Sequence, residues 1–144
     1  MPPPHSWFDG LRDLALACSG SFAEEEARRL REAFALLQAA PSADLLAGID
    51  LPDSASFEFL VHAGAAESAA LMLIGPEAGF MLSRGPEGRF LASVFLPGRL
   101  EESSAGAETA ALALLAALAV GLQDAAMSPG EWSDLPDRPA LRLN

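Results

Sequence analysis

Gly75-Pro76-Glu77-Ala78-Gly79-Phe80-Met81-Leu82-Ser83-Arg84-Gly85-Pro86-Glu87-Gly88-Arg89-Phe90 is the stretch on which the fold reading turns. Its opening, Gly75 to Phe80, returns ten residues later as Gly85 to Phe90, so one turn chemistry is used twice. In each copy Pro presets the backbone angle at the first central turn position, and a nearby Gly accepts positive φ where the chain reverses. Apolar runs of ordinary strand length lie around these turns, at residues 69–74, 80–83 and 90–96. Upstream, residues 57–63 read as a further strand closed off by Gly64-Ala65-Ala66-Glu67-Ser68. The expectation is therefore four antiparallel strands in up-and-down order. Alternation places Leu60, Met72, Ile74, Met81, Leu91 and Phe95 on a second sheet face. That is too much apolar surface to leave in water, and it calls for a cover from helices, tail or a second copy of the chain.

Working outward toward the N-terminus, Ser6 is placed to cap a first helix, with Asp9 three residues on. Trp7, Leu11, Leu14 and Cys18 then recur at helical spacing until Gly20 ends the run. Ser21 and Glu24 form an S-x-x-E capping box for a second helix, which Pro41 forbids beyond Ala40. Ala23, Ala27, Leu30, Phe34 and Leu37 make its apolar face, opposite a charged face of Glu24, Glu25, Arg28, Arg31 and Glu32. Residues 41–56 cross to the first strand with one short helical turn at 43–47.

Toward the C-terminus, the polar residues 101–104 lead into an apolar helix over 105–126. Its Leu112, Leu115, Leu118 and Leu122 side is expected to pack on the sheet. The opposite side, Ala110, Ala113, Ala117 and Gly121, is small enough to admit a neighbouring helix or a homodimer seam. The expected architecture is α+β: two N-terminal helices, a four-stranded antiparallel meander sheet and a C-terminal apolar helix packed on the sheet. The chain reads as a single domain over residues 1–144, with a Pro-rich leader (1–5) and an extended, Pro-containing tail (127–144).

Bulk properties narrow the function classes. A chain of 144 residues can bury roughly two-thirds of its unfolded surface, enough for a self-sufficient core. Its net charge of −11 and the absence of any Lys provide no basic patch to replace counterions on phosphates, so nucleic acid and anionic membrane surfaces are not expected partners. The apolar run 110–122 is shorter than the ~20 residues needed to span a bilayer. Residues 1–5 lack the basic and apolar regions of a secretory signal. A lone Cys18 forms no intrachain disulfide and supplies no thiolate cluster. A soluble protein of the reducing cytoplasm is expected.

Residues able to carry chemistry are sparse. Cys18 sits on an apolar stripe and reads as a small buried hydrophobe. Of the two His, only His62 has a fixed position, near the end of the expected first strand. On such a strand it lies roughly 13 Å from Glu58, too far to touch. Arg84, Arg89 and Arg99 flank the sheet turns, where they could meet an anionic ligand or partner. No calcium-loop cadence, dinucleotide fingerprint or P-loop is present. Hence no cofactor, metal or catalytic residue is assigned, and His62, Arg84 and Arg89 stand as candidate ligand or partner contacts.

Function must be argued from a site. Doubly apolar strands under an acidic exterior favour a non-enzymatic protein-interaction module, chaperone- or adaptor-like and self-associating as a homodimer. The alternative is a pocket protein or small enzyme with a cavity between sheet and helices, addressed by His62 or an Arg. In size, acidity and Leu/Ala-rich helices the chain resembles the class I chaperones of type III secretion. Those are small acidic dimers that hold an extended effector segment. The resemblance implies a dimer and a protein partner; it carries no residues, and the element order expected here differs from theirs.

Overall fold

In the computed structural model, residues 4–127 are described. Of the extended tail expected over 127–144, Met127 ends a helix instead, and residues 128–144 lie outside the described residues. Four helices precede the sheet: α1 (Pro4–Gly20), α2 (Glu26–Gln38), α3 (Ser54–His62) and α4 (Ala66–Ile74). Strands β1 (Gly79–Arg84), β2 (Phe90–Phe95) and β3 (Ser103–Ala107) follow, and α5 (Ala110–Met127) completes the described chain.

The α+β class stands, but the meander has three strands rather than four, in the order β1-β2-β3. Residues 57–63 and 69–74, expected as strands, lie in α3 and α4, with Ala63 as the C-cap of α3. The physical reason is visible at the start of α3. Asp53 caps it: Oδ2 accepts from the Ser56 N–H at 3.0 Å and Oδ1 from the Ser56 hydroxyl at 2.8 Å. With the helix so begun, Phe57 and Val61 fall on one face and are buried, while Phe59, which strand alternation aligned with them, stands out in solvent. In α4 the Ala-rich sequence favours the helix, and Ala69, Ala70, Leu73 and Ile74 turn inward at helical spacing.

The repeated turn is consequently used in two ways. Its first copy joins α4 to β1, and its second closes the β1–β2 hairpin. In the hairpin the Gly85 N–H donates to the Arg89 carbonyl at 2.8 Å, the Gly88 N–H to Gly85 at 3.0 Å, and Gly88 takes φ 88°.

Strand β3 was expected as loop and helix start. It pairs with β2 along Phe90↔Ala107 to Val94↔Ser103. Its residues are poor strand formers, so packing and not propensity holds it. Gly106 lies against the Phe90 carbonyl, where a Cβ would come within 3.4 Å, and the Ser93 and Ser104 hydroxyls hydrogen-bond at 2.7 Å. Thr109 then starts α5, its Oγ1 accepting from the Leu112 N–H at 3.2 Å.

The core is organised around α5, which packs on β2 and β3, on α1 and α4, and on α2. A helix apolar on all sides needs such enclosure. Its small-residue side does not meet a helix throughout: Gly121 faces Ser103 of β3 and Leu96 just past β2, both within 3.6 Å of where a Cβ would stand. At this end, then, the glycine side expected to admit a helix or a second copy lies against the sheet.

The N-terminal pair is close to expectation. Trp7, Leu11, Leu14 and Cys18 are all buried on α1, and the Trp7 indole donates to the Leu36 carbonyl at 2.7 Å, fastening α1 to α2. Ser6 lies inside α1 instead of capping it. The second capping box is shifted by one residue. The Phe22 N–H is held by Glu25 Oε1 at 2.8 Å, while the Ser21 hydroxyl donates to the Ala17 carbonyl and accepts from Arg29. A short 3-10 turn at Ala43–Leu46 occupies the expected place in the crossing segment.

Candidate interaction surface

The sheet register separates a covered region from a bare one. Phe80 faces Val94 and Leu82 faces Ala92 across the β1–β2 ladder, so all four side chains share one face. Val94 and Ala92 are buried in the core, yet all six residues of β1 are exposed. The reason is position: α5 packs on β2 and β3, whereas the contacts of β1 run almost wholly to β2. On the opposite face Met81 and Leu91 are also exposed and Phe95 is half-buried. Of the second apolar face expected from the sequence, Met81, Leu91 and Phe95 therefore belong to the sheet, while Leu60, Met72 and Ile74 belong to helices.

Leu60 and Met72 nevertheless adjoin the bare strand. Together with Leu71, Gly75, Pro76, Ser68 and Phe80 they line an open groove of about 500 Å³ between α3, α4 and β1. A second hollow shares Leu60 and Met72 and reaches Phe59 and Ser56. Phe59 is 72% exposed, Met81 59%, Leu91 50%, Phe80 45% and Leu82 38%. The lining of the first groove contains no ionisable side chain.

Of the three residues singled out from the sequence, Arg84 and Arg89 flank the same hairpin turn while His62 lies on α3. His62 ends α3 and is exposed. Because this segment is helical, His62 stands one turn from Glu58, which corrects the strand-based separation. The Arg31 guanidinium of α2 clasps Glu58, its Nε donating to both carboxylate oxygens at 3.1 Å, and draws the Glu58 carboxyl below the usual carboxylate range, His62 adding least. Glu58 is thus a helix-to-helix clamp. Arg84 ends β1 and is exposed. Arg89, in the hairpin turn, extends its guanidinium to the Ser19 carbonyl at 3.4 Å, where a cation suits the C-terminal end of α1.

Cys18 is buried, and burial pushes its thiol up to about 12, with Arg29 opposing weakly. It is therefore a packed hydrophobe with no thiolate chemistry at neutral pH. Among the described residues no group of three or more His, Cys, Asp or Glu is arranged to hold a metal ion. No described helix is long and apolar enough to cross a membrane.

Sequence reasoning found β1 as an apolar strand but missed Phe59 and the groove. The signal available was the D-x-x-S cap at Asp53, which starts a helix and frees Phe59 from the buried side. Compared with protein-family models, with curated proteins and with solved structures, the chain finds no match in any of the three.

Proposed function

We propose that the chain is a non-enzymatic protein-interaction module, chaperone- or adaptor-like, that self-associates and presents apolar surface to a protein partner. The observation that carries this reading is the bare strand β1 beside Phe59, Leu60 and Met72, on a chain whose net charge is −11. The acidic exterior keeps the molecule dissolved, and the uncharged strip is where another polypeptide seats. The reducing cytoplasm suits its single free thiol.

Light scattering of the full chain over a dilution series tests the reading. A mass above the 15.0 kDa of one chain is expected, falling toward one chain in a Phe59→Ser/Phe80→Ser variant. A mass of 15.0 kDa at every concentration overturns self-association.

The groove of about 500 Å³ supports a second reading, a seat for a small apolar ligand. Its lining provides Ser68 as the one polar side chain, too few convergent polar groups to orient a substrate. Ser68→Trp, which fills the groove from its polar side, separates the two: it abolishes ligand uptake while leaving self-association through β1 in place.

A further inference from the structure

We infer that two copies of this chain join through the free edges of β1, in antiparallel register with Met81 at the twofold axis, forming one continuous six-stranded sheet. This rests on the interaction-module reading and names its surface.

Three features of β1 lead there. The first is its open hydrogen-bonding edge. Since the Gly85 N–H bonds Arg89 across the hairpin, antiparallel alternation turns the N–H and C=O of Phe80, Leu82 and Arg84 away from β2. Among the described residues nothing pairs with that edge. The second is the absence of the usual protection: residues 79–83 carry no Pro, no Lys and no charge, and only Arg84 at the end is ionised. The third is area. The four exposed side chains Phe59, Phe80, Met81 and Leu82 present on the order of 400 Å². The strand edge and half-buried Leu60, Leu71 and Met72 bring the strip toward the ~800 Å² per partner of a stable complex.

Charge points to the same occupant. A second copy is equally acidic, so it can approach closely only where charge is absent, and the strand and groove lining supply that strip. An antiparallel edge is also complementary to itself under twofold symmetry. Only registers that set outward-facing residues opposite one another complete the ladder. With Met81 on the axis, Phe80 of one copy lies opposite Leu82 of the other, and Met81 faces its own counterpart. Every apolar side chain then meets an apolar one, while Arg84 falls beyond the apolar centre.

Single-cysteine crosslinking reads this register, because the native Cys18 is buried and protonated and does not compete. Met81→Cys occupies a non-hydrogen-bonded position on the axis, where opposed side chains lie close enough to bridge. Mild oxidation should convert it to a covalent dimer that reductant reverses, and Leu16→Cys, exposed on α1, should stay single. Leu82→Pro removes an outward N–H without touching the β1–β2 ladder, and should raise the dissociation midpoint at least ~10-fold with the circular dichroism of the fold retained. Should that variant not fold, Met81→Lys on the solvent face repeats the measurement.

A wild-type dimer whose Met81→Cys form does not crosslink overturns the β1 seam and leaves the interaction-module reading standing. A monomer at all concentrations overturns both self-association and the seam. A monomer in which the Phe80, Leu82 and Arg84 amides resist hydrogen exchange gives the edge to residues 128–144 of the same chain, and likewise overturns it.

Discussion

Helix α5 and strand β1 are both rich in apolar side chains, yet residues 110–119 of α5 are buried without exception and all six residues of β1 are exposed. Composition does not separate them. What does is the number of elements that reach each one: α5 is enclosed by β2, β3, α1, α2 and α4, whereas β1 leans on β2 and shares a groove with α3 and α4. The same chemistry is therefore core in one place and bare surface in the other. Apolar residues on an edge strand are left bare by the fold's own topology, because among the described elements only β2 packs along it.

The largest break in this contrast comes from truncating the enclosed side. Leu115→Ala in α5 should cost about 2–5 kcal/mol of unfolding free energy, measured by denaturant titration, because the removed side chain leaves a cavity no neighbour can fill. A comparable result for Met81→Ala in β1 would mean that the strand is not bare. Next in size is Gly121→Val. The Ser103 hydroxyl already lies 3.4 Å from where a Cβ would stand, and overpacking there should cost about 1–3 kcal/mol, read from the thermal midpoint.

A pH series sharpens how dry the enclosed side is. The Cys18 thiol is pushed from 9.0 up to about 12 by burial on α1, which packs against α5. Above pH 9 the unfolded chain loses that proton while the folded one keeps it, so stability is full below about pH 9 and falls toward pH 12. The slope reaches ~1.4 kcal/mol per pH unit, and Cys18→Ala should flatten it. Smallest is Met81→Ser in β1, which should leave single-chain stability within about 0.5 kcal/mol while weakening association.

The sequence disclosed one side of this contrast better than the other. Trp7, Leu11, Leu14 and Cys18 announce a helix by spacing alone, and all four are buried. The hairpin turn at Gly85 to Arg89 was legible because Gly88 has to take positive φ. Residues 57–63 misled because Phe57, Phe59 and Val61 satisfy strand alternation while Phe57 and Val61 equally satisfy a helical turn; the Asp53 cap decided between them. Strand β3 could not be read from Ser103, Ser104, Ala105, Gly106 and Ala107, since those residues are there for closeness of approach beneath α5, a tertiary demand with no local signature. The candidate surface was half legible: β1 was visible as apolar, but the flanking side on α3 and α4 emerged only once those segments were helical.

The enclosed position of α5 also has a temporal side. Every described element that packs on it precedes it in the sequence, and its contacts with α1 join the two ends of the described chain. On a ribosome adding about 5–20 residues per second, α1 to β3 emerge with no helix to close upon. Their apolar faces stay open until residues 110–127 have cleared the exit tunnel, so the core condenses late and nearly all at once. The time the ribosome takes to release α5, the last of the described helices, thus sets the interval during which this chain is most exposed to wrong company.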